Sequence, residues 1–266
     1  ESGAERATAA RLVSELVDLV LVRGDGQISL LETWPEAALF AHKSVYAGYF
    51  QPAAPARRAA ASGDWILGMG GGWFAGSDAL LELAAAAHSA LAAGGSRLLS
   101  YAPAERPATG GAADRQPASG SAYLAAVAAA ELAILQAGYN SLTEALWLQA
   151  PAVLVPAAEE HVHGEQSYRL KRFADLGIVG GSTCWQTFDG RGQQGFLDVA
   201  ARALRGSPAP PGIRFGGQQN AAALIQAAID GRRGGGLHIP SILAANLVES
   251  RGELAERAHL ACLHEL

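Results

Sequence analysis

Leu132-Ala133-Ile134-Leu135-Gln136-Ala137-Gly138-Tyr139-Asn140-Ser141-Leu142-Thr143-Glu144 decides the fold class: an apolar run of strand length meets a glycine turn and then the opening of a helix. Residues 140–149 keep helical spacing, and Ala152-Val153-Leu154-Val155-Pro156 is again a short apolar run, closed by proline. Strand-length runs alternating with longer Ala/Leu-rich helical segments are the pattern of βα units, which build a parallel sheet. The expected fold class is therefore α/β.

The same alternation extends in both directions. Upstream, residues 122–130 read as a helix, 97–101 as a strand, and 65–69 as a strand that runs into Gly70-Gly71-Gly72. A helix follows over 78–93, with Ser77 as its expected cap. Residues 103–121, rich in proline, glycine and polar side chains, read as a long loop. Downstream, 165–176 is a helix, 178–179 a last short strand, 195–204 a helix, 207–212 a proline-rich break and 219–229 another helix. Near the start, 19–22 is a strand and 45–50 a second extended piece. The Pro/Ala/Arg stretch 52–62 has little to bury and reads as a linker. Four regions are expected: 1–51, the linker 52–62, a main domain over 63–230, and a linker with a C-terminal helix over 231–266. Residues 242–263 have helical apolar spacing, and they either pack back on the domain or open a further module.

Composition narrows the function. The chain has 266 residues, 50% of them hydrophobic and only 17% charged, with a formal net charge of −5. No block of like charges offers a counterpart to a phosphate backbone, so nucleic acid is not an expected partner. The two cysteines, Cys184 and Cys262, lie far apart without a metal-ligand spacing, as in proteins of reducing compartments. Glu131 interrupts the longest apolar candidate, 122–138, so no transmembrane segment is expected. Residues 2–10 lack the order of a signal peptide, and the opening at Glu1 reads as a cut rather than a natural start. A cytoplasmic location is expected, with peripheral association to the inner membrane as its variant.

Three places carry candidate chemistry. Gly70, Gly71 and Gly72 stand between a strand and a helix, where backbone amides approach an anion closely and the helix adds its positive end. Taken alone they are equally a tight turn, because the spacing fits neither a Walker loop nor G-x-G-x-x-G. In the second place, Asn140 or Ser141 would cap the helix after Gly138 and leave its first amides facing the turn. Glu144, one turn in, is placed to accept hydrogen bonds from vicinal hydroxyls such as those of a ribose. Taken alone, it is more often an acid complementing the helix dipole. The third place follows the strand ending at Pro156: Glu159-Glu160-His161-Val162-His163-Gly164-Glu165-Gln166 forms a polar loop at the carboxyl end of a parallel strand, where open α/β sheets bind ligands. His161 and His163 lack a distant third ligand, so no metal site is expected.

Together, Gly70-Gly71-Gly72, Gln136 to Glu144, Ala150-Pro151-Ala152-Val153-Leu154-Val155-Pro156 and Glu165-Gln166 resemble the C-terminal, donor-binding domain of family 28 glycosyltransferases. That family includes the bacterial enzyme that adds N-acetylglucosamine to a lipid-linked peptidoglycan intermediate. The resemblance covers about residues 65–229. Residues 17–49, with Asp18-Leu19-Val20-Leu21-Val22-Arg23-Gly24-Asp25 and Tyr46-Ala47-Gly48-Tyr49, look like the last part of the N-terminal domain in one branch of the same family.

The resemblance implies a GT-B architecture of Rossmann-like domains, here the donor-binding half with a remnant of the acceptor domain. It implies that a UDP-sugar is the donor substrate, that no cofactor is bound and that a hexosyl group passes to an acceptor hydroxyl of unknown identity. By position, Glu144 would hold the ribose. The amides of Gly138, Tyr139, Asn140, Ser141 and Gly70 to Gly72 would face the diphosphate. Glu165 and Gln166 would contact the donor sugar, and His161 is a further substrate-binding candidate. Glutamine is frequent in the family where this chain has Glu165, which leaves the sugar open. Residues 102–121 also depart, lacking a clear strand. The general base would come from the N-terminal domain, in cis or on a partner chain, and no catalytic residue is assigned, Asp25 and His42 being more often structural or surface groups. Two other readings stay open: a non-catalytic donor-binding subunit of a two-chain transferase, and a UDP-sugar hydrolase or epimerase of the same fold.

Overall fold

The structure, a computed structural model, describes residues 3–28, 34–51, 63–68, 77–102, 113–117, 120–157, 164–188, 190, 192–208 and 213–234. The expected linker 52–62, the glycines Gly70 to Gly72, His161 and the helical tail 242–263 lie outside the described residues. The chain forms two compact units, one from Glu1–Gln51 with Ile213–Leu266 and the other from Pro52–Gly212.

The larger unit holds a six-stranded, wholly parallel sheet. Its strands are β3 (Trp65–Gly68), β4 (Leu98–Ala102), β5 (Asp114–Pro117), β6 (Leu132–Gln136), β7 (Ala152–Val155) and β8 (Trp185–Thr187). Their spatial order is β5-β4-β3-β6-β7-β8. The chain thus starts at the centre with β3, winds out to β5, then returns to β6 on the other side of β3 and winds out again. That is the doubly wound Rossmann order, and it puts the topological switch point between β3 and β6. The two strands pair in register, from Trp65 opposite Leu132 to Gly68 opposite Leu135.

The central strands are apolar along their whole length because both faces are covered. Trp65, Leu67, Leu132, Ile134 and Val153 face one way, into a core shared with Leu80, Leu81, Ala84 and Ala87 of α2 (Ser77–Leu91) and with Phe196, Val199, Ala200 and Ala203 of α6 (Gly192–Arg205). Alanines on the inward helix faces let the helix backbones come close to the sheet, which is where the alanine-rich composition is used. Ile66, Ala133, Leu135 and Leu154 are equally buried on the opposite face, where α4 (Tyr139–Leu148) packs on β6 and beside α3 (Gly120–Ala129). The helix α5 (Glu165–Asp175) follows β7.

Two expectations change here. The polar loop expected over 103–121 contains the edge strand β5, which pairs with β4 from Leu99 opposite Asp114 to Ala102 opposite Pro117. Its sequence, Asp-Arg-Gln-Pro, has no apolar signature because an edge strand needs partners on one side only. Ile178 and Val179 are buried but lie in the turn after α5. The last strand is β8, whose Trp185 donates its indole N–H to the Ala150 carbonyl at 3.0 Å.

Side chains lock the amino ends of the central strands. Asp64, just before β3, accepts the Arg97 backbone amide at 3.1 Å, and its other oxygen accepts the guanidinium at 2.7 Å. These bonds hold the Asp64 carboxyl below the usual aspartate range. Glu131, just before β6, accepts the Trp65 indole N–H at 3.1 Å.

In the smaller unit, α1 (Gly3–Leu16) packs on a 3₁₀ segment (Pro35–Lys43), and β1 (Val20–Arg23) pairs in parallel with β2 (Ser44–Gly48). The helix α7 (Gly217–Gly234) belongs to this unit and not to the 63–230 region in which it was expected. Leu224 of α7 packs on Val45 of β2, and Asn220 donates its side-chain amide to the Ala47 carbonyl at 2.8 Å. Gly217 is required where α7 starts, since a β-carbon there would collide with the Gly48 carbonyl oxygen.

Candidate functional site

In open α/β sheets the switch point, here at the carboxyl ends of β3 and β6, is where ligands bind. Gly68 closes β3 there, and Gln136, Ala137 and Gly138 close β6.

Gly138 is the N-cap of α4, with φ −62° and ψ 159° and no side-chain capping bond. The cap expected at Asn140 or Ser141 is thus two or three residues earlier, and both residues fall inside the helix. The turn needs no polar cap because the backbone closes it: the Gly138 amide donates to the Gln136 carbonyl at 2.8 Å, and the Ala137 amide to the Val155 carbonyl at 2.8 Å. The Gly138 amide is therefore committed to the turn. Helix geometry leaves the amides of Asn140 and Ser141 without an intrahelical acceptor, at the positive end of the helix. Asn140 is exposed and Ser141 buried. Thr143 is buried with its hydroxyl donated to the Tyr139 and Asn140 carbonyls, at 3.0 and 2.9 Å.

Glu144 lies in the second turn of α4 and is half-buried. Burial raises its carboxyl above the usual glutamate range. Among the described residues it has no hydrogen-bond or ion-pair partner. A half-buried carboxylate without a partner among the described residues costs stability, and it is available to a ligand hydroxyl.

Glu165 and Gln166 open α5 after the N-cap Gly164, whose φ is 54°. Neither is idle. Glu165 pairs with the guanidinium of Arg169 one turn on, and Gln166 accepts the Ala157 amide through Oε1 at 3.1 Å, holding the segment that leaves β7. Arg169 is itself buried, and its guanidinium lies 5.7 Å from the centre of the Tyr139 ring. The ion-paired guanidinium thus stands beside the first residue of α4, a feature the sequence reading missed because Arg169 follows no recognisable motif.

It also missed Tyr101 and Tyr123. Their rings are 5.3 Å apart and inclined at 60°. Tyr101 is buried in β4, and Tyr123 sits in the first turn of α3 with its hydroxyl over Gly68. An aromatic residue opening a helix after the outer strand was the available signal, hidden because β5 read as loop.

Gly70 to Gly72 and His161 lie outside the described residues, so the chain brings together Gly138, Tyr139, Asn140, Ser141 and Glu144 on one turn and helix, with Glu165 and Gln166 on the next βα connection. Asp25 and His42 are in the smaller unit: Asp25 is buried and accepts the Gln27 amide at 3.2 Å, and His42 is exposed. Among the described residues no group of three or more His, Cys, Asp or Glu is placed to hold a metal ion, and no helix is long and apolar enough to cross a membrane.

Residues 120–181 match the glycosyltransferase family 28 C-terminal domain, so the resemblance read from the motifs holds over the segment that runs from α3 through β6, α4 and β7 past α5. Among solved structures, the chain is similar to MurG of Acinetobacter baumannii, at 18% identity over 83% of this chain and 69% of that one, with a TM-score of 0.49. It is also similar to the glycotransferase of kitacinnamycin, at 13% identity over 98% of this chain and 61% of that one, with a TM-score of 0.47. A third similar structure is the spinosyn forosaminyltransferase SpnP, at 14% identity over 77% of this chain, with a TM-score of 0.38. The chain spans 40% of SpnP. No curated protein matches the sequence.

Proposed function

We propose that this chain binds a nucleotide-sugar donor, a UDP-sugar, at the switch point between β3 and β6, and that it forms the donor-binding part of a hexosyltransferase. The observation that carries the reading is Glu144: a half-buried carboxylate without a partner among the described residues, on the helix that follows β6, inside the segment that matches the family 28 domain. An ionised carboxylate accepts two hydrogen bonds from vicinal hydroxyls, which suits the ribose of the donor. The amides of Asn140 and Ser141 and the positive end of α4 suit a diphosphate, whose charge grows as the sugar leaves. Transfer on such a site proceeds without a bound metal. The acceptor hydroxyl and the base that deprotonates it belong to an acceptor domain, in cis or on a partner chain.

Calorimetric titration with UDP, then with UDP-sugars, tests this. Removing a charge-assisted ribose contact in Glu144→Ala is expected to weaken binding by about 1.5–3 kcal/mol, roughly tenfold to a hundredfold. Absence of UDP binding by the unaltered chain would sink the reading.

A further inference from the structure

Arg169 joins the openings of two neighbouring helices. One turn into α5, it pairs with Glu165, the first residue of that helix, and its guanidinium lies 5.7 Å from the ring centre of Tyr139, the first residue of α4. Gln166 fastens the same turn on its other side, to the Ala157 amide just past β7. The ion pair is lopsided: the Arg169 side chain is 11% exposed and that of Glu165 59%. The cation is therefore enclosed while the carboxylate faces water. The two contacts in series put that carboxylate within about 10 Å of the Tyr139 ring, roughly one Debye length at 0.1 M salt, so an anion at the opening of α4 feels it unless it is offset. Lys171, the other cation nearby on α5, is already paired with Asp175 at 2.7 Å.

We propose that Arg169 is a positioning residue of the donor site that cancels the charge of Glu165, so that the donor's diphosphate approaches the opening of α4 beside a neutral pair and not beside an uncompensated acid. The proposal rests on the donor-site reading above. A nucleoside diphosphate is itself strongly anionic, and a lone glutamate one helix away would repel it. A guanidinium suits the task because it stays charged when enclosed and can hold a carboxylate while stacking on a ring. A brace that only pinned α5 to α4 would behave differently. Cutting such a brace from either end loosens the same contact, so both substitutions would act in one direction. Where charge is what counts, removing the cation bares an anion and removing the anion bares a cation, and the two act on an anionic ligand with opposite signs.

The test is titration with UDP, at low and at high salt, of the purified chain, Arg169→Gln, Glu165→Gln and the double variant. Arg169→Gln is expected to weaken UDP about threefold to tenfold and Glu165→Gln to strengthen it by a smaller factor, with the double variant returning toward the unaltered chain. Both shifts should shrink as salt rises, because the carboxylate is exposed to screening. Loss of affinity in both single variants, no change in either, or a double variant as weak as Arg169→Gln overturns the proposal and leaves the donor site standing. If Arg169→Gln fails to melt cooperatively, Glu165→Gln alone decides, since tighter binding supports charge balance and weaker binding overturns it. Absence of UDP binding by the unaltered chain removes the donor-site reading and this proposal with it.

Discussion

The hydroxyl of Tyr123 fills the space that a side chain on Gly68 would need: a β-carbon there would stand 2.6 Å from the phenol oxygen, and 2.8 Å from Cδ2 of Leu135. A helix residue and the last residue of the central strand are thus fitted to one another across the switch point. Gly68→Ala should therefore cost about 1–3 kcal/mol through overpacking. Part of that cost should disappear in the Tyr123→Phe background, where the phenol oxygen is gone. Urea unfolding of the two single variants and the double variant measures the coupling.

Glu144 should trade stability for binding. Its carboxyl is raised above its unfolded value by burial, so the folded chain holds its proton more tightly and the charged form opposes folding. That penalty is absent below the unfolded pKa, grows as pH rises toward the folded value, and is complete above it. Glu144→Gln should melt higher than the unaltered chain at pH 7 to 8, with the gap closing in acid. Melting curves across pH check this. Equal gaps at every pH would remove the role given to desolvation.

Asp64 should show the opposite sign. Its folded carboxyl is lowered, first by the side-chain hydrogen bond from Arg97, so its contribution is present above the unfolded pKa and is lost as pH falls through the lowered value. Asp64→Asn should melt below the unaltered chain at neutral pH and converge with it in strong acid. The same melting series reads both variants.

At the start of α7, Gly217→Ala should loosen the helix from β2, because the new methyl meets the Gly48 carbonyl oxygen and stands 2.6 Å from the Phe50 ring. Backbone is a poor place to make room, and a cost of about 1–3 kcal/mol is expected. Hydrogen exchange should show lost protection over Gly217–Gly234 and over Ser44–Gly48 together, with the strands of the larger unit unchanged.

How much of this was legible beforehand follows from where each signal is stored. The strands β3, β6 and β7 were readable to within a residue or so, because a strand covered on both faces must be apolar throughout. The turn at Gly138 and the helix carrying Glu144 were readable for the same local reason, although the cap was placed too late: a backbone closure through Gln136 leaves no side-chain signature. The commitment of Gln166 to the Ala157 amide, and of Glu165 to Arg169, depends on a loop geometry that spacing alone does not fix.

The sequence by itself determined that this chain is α/β, where its central strands lie, and that a glycine turn followed by a helix carries Glu144, since apolar periodicity and turn chemistry are local properties of a few consecutive residues. Only the tertiary structure decided that the polar stretch Asp114–Pro117 is an edge strand, that the helix Gly217–Gly234 joins the first unit, and that Tyr123 reaches the switch point over Gly68. Those three are pairings between residues far apart in the chain. Their free energy comes from register, close backbone approach and mutual burial, which exist only once the partners have met.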